Sequence, residues 1–325
     1  MTAERPYPPL ALANRVGSLE AAEDPFAYYN DLGMRARTYI LGALPADWSF
    51  EGKAVLDFGC GAGRTLRQFL AEAETGEFWG CDIDAESVEW LESNLCPPLQ
   101  VFRNNPDPPL PLADESLDLI WAVSVFTHLV ESWSDWLVEL QRVLRPGGLL
   151  VATFMGEGMS KLITGEEWDE GRIGMNAVKY GQSWDLGGPM VLHSPWWIRE
   201  HWGRAFDVVD IVPSGFATGS EVGQGIAVLR RDAREVSRHE LERIAPGDER
   251  EIRALIHNVA QLRTDAADLR RSLDHERAEA AAREARMAAL EDATKTVFES
   301  RSWRVTGPMR RAAEVFRGLR ARRAR

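Results

Sequence analysis

Short apolar runs alternate with longer amphipathic stretches through the middle of the chain. Ala54 to Phe58, Phe78 to Cys81, Gln100 to Arg103, Leu117 to Val123 and Leu149 to Phe154 read as strands. Helical spacing predicts helices from about Thr65, from about Ala85 to Leu95 and across Trp133 to Leu144. Strands separated by helices of this length imply right-handed crossovers and a parallel, doubly wound α/β sheet. Two later runs, Phe206 to Val212 and Gly225 to Leu229, surround Pro213-Ser214-Gly215 and fit an antiparallel pair closing the sheet edge. Residues 1–50 read as a proline-rich cap segment with a helix near Pro25 to Leu44, carrying Tyr28, Tyr29, Met34, Tyr39 and Ile40 toward the rest of the fold.

Between Met155 and Gly203 the pattern loosens, with glycines interleaved with Trp168, Trp184, Trp196, Trp197 and Trp202. Long segments of this kind are often lids or binding loops, so residues 155–203 are expected to meet an acceptor; a small subdomain with packed tryptophans is the alternative. From Glu249 a heptad begins: Ile252, Leu255, Val259, Leu262, Ala266, Leu269 and Leu273, resumed by Ala280, Met287, Leu290 and Val297. Glu276 and Arg283 break its d positions. A lone helix cannot bury such a seam, which predicts a coiled coil with a second copy; a solvated single helix or one folded back on the body is the alternative. The expected organisation is a cap at 1–50, a central domain at 51–232, a helical extension at 233–300 and a basic tail at 301–325.

Composition adds the charge contrast. The 325 residues are 45% hydrophobic with a net charge of -12, yet the segment from Ser300 onward carries +8 and the remainder -20. The acidic body argues against general nucleic-acid binding. The chain's start lacks a basic and apolar leader and no run is long enough to span a bilayer, so a cytoplasmic protein is expected. Cys60, Cys81 and Cys96 have no metal or redox spacing, so no metal site is expected.

The chemistry concentrates where the first strand ends, in Asp57-Phe58-Gly59-Cys60-Gly61-Ala62-Gly63-Arg64. Glycines at 59, 61 and 63 let a charged small molecule approach the backbone. A dinucleotide fingerprint needs a glycine where Arg64 stands. Asp82 closes the second strand 19 residues past Gly63, placed to accept both hydroxyls of a ribose, while Asp84 is expected to cap the next helix. Asn104 and Asn105 follow the third strand, where either amide could read a base edge or simply make a turn.

These residues, with Ser124-Val125-Phe126-Thr127-His128 after the fourth strand and Arg142-Val143-Leu144-Arg145-Pro146-Gly147-Gly148 before the fifth, resemble the ordered motifs of class I S-adenosylmethionine (SAM) methyltransferases. The resemblance covers about residues 50–155 and extends through the edge strands to about 230. It implies a Rossmann-like seven-stranded methyltransferase sheet with the C-terminal helical extension attached. It further implies SAM as cofactor, with Asp57 and Gly59 near its methionine part, Gly61 and Gly63 in the same cofactor-binding turn, and Asp82 on the ribose. Asn104 or Asn105, with Phe126, would lie near the adenine or the cleft wall. A base is needed mainly for a hydroxyl acceptor, and His128 and His193 are the candidates, with Tyr180 and Asp185 behind them. Each histidine also has a structural reading, as a ring bonded to backbone.

The run Ser300-Arg301-Ser302-Trp303-Arg304-Val305-Thr306-Gly307-Pro308-Met309-Arg310 resembles a tag that follows coiled coils in bacterial surface-polysaccharide glycosyltransferases and methyltransferases. The arginine-rich tail beyond it reads as an interfacial amphipathic helix, implying peripheral contact with the inner membrane or with a glycosyltransferase. The expected reaction is methyl transfer to a sugar or glycan hydroxyl. A small metabolite or lipid acceptor is the second expectation, and a SAM-binding scaffold that recruits glycan enzymes the third.

Overall fold

The computed structural model describes residues 5–16, 19, 22–182, 188–216, 218, 222–245 and 247–309. Trp184 and Asp185, and the tail from 310 onward for which a membrane or partner contact is expected, lie outside the described residues. The chain divides into two compact units, the first running through Asp265 and the second beginning at Ala266.

The first unit opens with a short turn of helix, α1 (Leu10–Ala13), and the cap helix α2 (Pro25–Gly42). Asp24 starts α2 by accepting from the Phe26 and Ala27 amides, with Pro25 at the first helical position. The sheet then follows in sequence: β1 (Ala54–Phe58), β2 (Glu77–Asp82), α3 (Ala85–Leu95), β3 (Gln100–Arg103), β4 (Leu117–Ala122), α4 (Trp133–Val143) and β5 (Leu144–Phe154). After it come α5 (Glu157–Thr164), β6 (Met175–Val178), β7 (Met190–His193), α6 (Pro195–His201), β8 (Phe206–Phe216), β9 (Gln224–Arg231) and α7 (Arg238–Glu242). The long helix α8 (Glu249–Glu299) and the short α9 (Arg301–Val305) follow.

The seven strands lie in the order β3-β2-β1-β4-β5-β9-β8. The first five run parallel, and β9 inserts antiparallel between β5 and β8. Every residue of β1 and β4 is buried, as a central parallel strand covered on both faces requires. Each fully buried Leu or Phe contributes on the order of 1.5–3 kcal/mol, so this centre is the stable frame on which the loops are hung. The strand order reverses between β1 and β4, which opens a crevice at their carboxyl ends.

Three expectations are corrected. The segment from Thr65 is not an α-helix but two tight 3-10 turns, Leu66–Phe69 and Glu72–Glu74. Arg37 of α2 explains it: its guanidinium takes the Gln68 carbonyl at 3.1 Å and the Glu72 carboxylate at 2.5 Å, diverting a carbonyl an α-helix would use. The Arg-Pro-Gly-Gly run is not a separate turn before the fifth strand. β5 begins at Leu144, and the run forms a register shift against β4 with Gly147 at φ +82°. Third, the region 155–203 is a subdomain around the two-stranded sheet β6-β7, and Trp196, Trp197 and Trp202 are buried in the core rather than presented to an acceptor.

The helix expected from Glu249 is present over 51 residues, but its first turns belong to the first unit. Glu251 and Ala254 are buried, the Ala177 amide donates to Asn258 at 2.9 Å, and the Tyr180 amide donates to Asp265 at 3.1 Å. The compact unit therefore extends beyond the boundary expected at 232. His257 is half-buried and bonded to Asn176 at 2.9 Å. In the second unit Ser300 caps α9 by accepting from Trp303, whose ring stands edge-on to Phe298 at 4.8 Å. No helix among the described residues is long and apolar enough to cross a membrane.

Candidate cofactor and acceptor site

The turn after β1 is built from backbone that only glycine adopts readily: Gly59, Gly61 and Gly63 have φ of +77°, +51° and +80°. A Cβ on Gly59 would stand 2.4 Å from Val125, beyond the end of β4, and one on Gly63 would stand 2.5 Å from Leu91 of α3. Gly59 keeps partial exposure, whereas Gly61 and Gly63 are buried. The sequence reading assigned all three to ligand approach, but Gly63 serves helix packing.

Asp82 lies beside this turn, half-buried at the tip of β2. Its Oδ2 accepts from the Gly61 amide at 2.7 Å and its Oδ1 from the Asp84 amide at 2.9 Å. A carboxylate has about four acceptor positions, so it can fix the turn and still accept two hydroxyls. Burial, with the neighbouring Asp84 charge, raises its pKa, while these amides pull it down. Asp84 stands at the helix N-cap position, but its carboxylate receives Arg15 and the Ser87 hydroxyl instead of a backbone amide. Arg15 also holds Glu86 at 2.6 Å, and Arg5 reaches the Asn94 and Pro97 carbonyls, so the N-terminal segment is tied along α3.

Asp57 is buried inside the same turn. Its Oδ2 has no hydrogen-bond partner among the described residues. Burial pushes its pKa up to about 7, assisted by the Asp82 charge and opposed by the Trp121 indole and Arg64. A cationic ligand would relieve that burial. Asn104 is buried where the Asp82 carbonyl takes its backbone amide at 3.1 Å; its Nδ2 donates to the Asn105 carbonyl and its Oδ1 has no partner among the described residues. An orphan acceptor at this place suits an exocyclic amine. Asn105 is exposed, which favours Asn104 of the two. The loop carrying them is anchored by Arg142 on α4, which donates to the Leu110 and Leu112 carbonyls and to Asp114, and by Trp136, which donates to the Pro106 carbonyl.

The structure thus brings Asp57, Gly59, Gly61, Asp82 and Asn104 together and corrects Phe126. That ring is fully buried, 4.8 Å from Trp202, in the core and off the cleft wall. His193 is corrected as well. It is fully buried between Trp197 and Trp202, with ring centroids 5.4 and 5.5 Å away, and neither ring nitrogen has a partner among the described residues. Burial, with His201 nearby, lowers its pKa to about 3, so it is neutral and weakly basic. His128 remains. Its half-buried ring meets the Pro189 carbonyl through Nδ1 at 2.8 Å, which fixes the proton on Nδ1 and leaves Nε2 the basic atom. Burial lowers its pKa from the usual range. Tyr180 donates its hydroxyl to Glu131, which raises the phenol pKa and withdraws it as a base.

Sequence reasoning missed a polar cluster by the carboxyl ends of β4 and β5. Ser124, the second residue after β4, has φ +65°, and its amide donates to Thr153 Oγ1 at 2.7 Å. Gln224 at the start of β9 donates to Ser124 Oγ at 2.6 Å, and its Oε1 is buried without a partner among the described residues. A hydroxyl residue closing an apolar strand was the available signal for Ser124; Gln224 follows a loop and carries none. A separate cavity of 240 Å³ lies in the subdomain, lined by Ser160, Ile173, Asn176, Leu192, His257 and Gln261 among others, and shares no residue with the glycine turn.

Residues 56–152 match the family described as Methyltransferase domain. Among similar proteins, phthiotriol/phenolphthiotriol dimycocerosates methyltransferase 1 of Mycobacterium ulcerans is 28% identical over 138 residues, covering 42% of this chain and 47% of that protein. The fatty-acid O-methyltransferase of Mycolicibacterium smegmatis is 28% identical over 103 residues, covering 32% and 37%. The chain therefore spans less than half the length of these relatives. A solved chain from the complex of the Haloferax volcanii Trm112 methyltransferase activator with its methyltransferase is 18% identical, covers 70% of this chain and 97% of its own, and superposes with a TM-score of 0.49. The glycine turn, the acid on the next strand and the matched segment agree: the chain carries a class I, SAM-dependent methyltransferase domain.

Proposed function

We propose that this chain transfers the methyl group of SAM to an oxygen acceptor, a hydroxyl of a sugar or glycan precursor at the cytoplasmic membrane face. The single observation that carries oxygen transfer is His128: with Nδ1 committed to Pro189, its Nε2 is left to take a hydroxyl proton. When bound, SAM supplies an already activated methyl, and the protein's task is to hold donor and acceptor in line. Gly59 gives backbone approach, Asp82 accepts the ribose hydroxyls, Asp57 faces positive charge and Asn104 accepts the adenine amine. Ser124 and the free Oε1 of Gln224 hold the acceptor. The glycan class rests on the tag from Ser300 and on the basic tail, which together support contact with a membrane or a glycosyltransferase.

A lipid or small-molecule acceptor is the second reading, and the names of the two relatives favour it. Incubation with methyl-labelled SAM and separated glycan, lipid-linked and lipid fractions distinguishes them. Label entering the sugar-containing fractions is expected. Label confined to plain lipids establishes the second reading, and SAM binding with no transfer to any fraction leaves a scaffold.

A further inference from the structure

The face by which α8 docks and the face that carries its heptad are different stripes. Glu251, Ala254, Asn258 and Asp265, which belong to the first unit, turn toward its body, as their burial and hydrogen bonds require. One residue along, Ile252, Leu255, Val259, Leu269 and Leu273 stay 37–46% exposed, and farther on Met287 and Leu290 are each 62% exposed. Packing therefore spends the other stripe and leaves the apolar seam, half-buried Leu262 apart, exposed. A solitary helix gains nothing from such a seam, whereas a facing helix buries it.

We propose that a second copy of this chain covers the seam and that the two helices run antiparallel, centred near Ala278. The charged d residues decide the direction. In a parallel, in-register pair each d residue faces itself, so Glu276 would meet the partner's Glu276 and Arg283 the partner's Arg283, two like-charge layers inside the seam. Antiparallel pairing sets a positions against d positions. Glu276 then faces the partner's Ala280, and Arg283 lays its stem on the partner's Leu273. Glu276 also stands one layer from the partner's Arg283, so opposite charges meet, twice by symmetry. The same register matches Ala266 to the partner's Leu290 and Leu269 to the partner's Met287, small or flexible side chains against bulky ones.

Edge charges leave the choice to the core. Antiparallel pairing attracts Arg270 to the partner's Glu284 and repels Arg277 from the partner's Arg277. Parallel pairing attracts Asp265 to the partner's Arg270 and repels Glu279 from the partner's Glu284. Each direction gains and loses in kind. Only the core layers separate them. The inference concerns assembly and stands whatever the methyl acceptor is.

Two measurements on the full chain test it, with Cys96→Ser leaving only the buried Cys60 and Cys81. Proteins carrying Ala266→Cys and Leu290→Cys are mixed, left to exchange and oxidised. Cross-linking between the two different variants is expected, and cross-linking of each variant to itself overturns the direction. By light scattering, Glu276→Arg should weaken the dimer about tenfold or more, and Glu276→Arg with Arg283→Glu should restore it. A Glu276→Arg dimer as tight as the unmodified one overturns the arrangement, and so does an unmodified chain that stays monomeric.

Discussion

At the scale of single residues, Asp57 makes the sharpest prediction because its environment is at odds with its charge. Its folded pKa of about 7 lies above its ordinary value of 3.8, so the folded protein holds a proton there that the unfolded chain has released. Stability from this group falls as pH rises through that window and levels above it. Binding of a cation runs the other way. On the proposed placement of SAM against Asp57, the ionised form is the one that binds, so SAM affinity should rise with pH by up to about tenfold per unit and flatten above about pH 7. Calorimetric titration at several pH values checks this, and Asp57→Asn should remove the slope. The two histidines separate by the same logic. His193→Leu removes two buried unpartnered nitrogens, so it should leave turnover intact and raise stability by roughly 1–3 kcal/mol in denaturant unfolding. His128→Asn can still donate to the Pro189 carbonyl yet supplies no base, and should lower kcat by roughly 10²–10⁴ with little change in SAM affinity. Full activity in that variant would assign His128 to the loop alone.

Among the elements, the contact between α2 and the glycine turn is the tightest. Gly33 sits on α2 where a Cβ would lie 2.3 Å from the Arg64 carbonyl and 2.8 Å from Gln68 Nε2. Tyr29, one turn earlier, is buried and donates its hydroxyl to the Ala62 carbonyl at 3.1 Å. Intrinsic propensity favours Ala over Gly in a helix by about 1 kcal/mol, but the backbone oxygen cannot yield. Gly33→Ala should therefore destabilise by roughly 1–3 kcal/mol, lowering the melting temperature by several degrees and weakening SAM binding. A raised melting temperature would show that the helix stands off the turn. This contact also marks how far the sequence could be read. The strands were legible because full burial writes itself as unbroken apolar runs, and the glycine turn because positive φ restricts residue choice. The 3-10 turns after Thr65 were not, since nothing local shows that Arg37 captures the Gln68 carbonyl from another element. Phe126 and His193 misled because a residue's place near a strand end does not state which way its ring points.

For the whole molecule, the question is where the methyltransferase unit ends. The heptad starts at Glu249, and periodicity alone made everything after it look like extension. The hydrogen bonds say otherwise. His201 is buried on α6, stacked 4.3 Å from Trp197, with Nδ1 on the Leu241 carbonyl at 2.8 Å and Nε2 on the Glu251 carboxylate at 3.1 Å. Both nitrogens are thus committed, and the second partner comes from the long helix. Arg250 lies over the Trp196 ring at 4.8 Å, and His257 completes the hydrogen bonding of Asn176. Deleting residues 266–325 should therefore leave the melting temperature and SAM affinity of the first unit unchanged while abolishing self-association. Deleting residues 249–325 uncovers His201, Trp196 and Asn176 and should lower the melting temperature. Glu251→Ala in the 1–265 chain isolates the largest part of that loss: it leaves buried His201 without its acceptor and should cost roughly 3 kcal/mol in denaturant unfolding. Equal stability of the 1–248 and 1–265 chains would mean that the first turns of α8 rest on the unit without holding it, and the domain would then close before the helix begins.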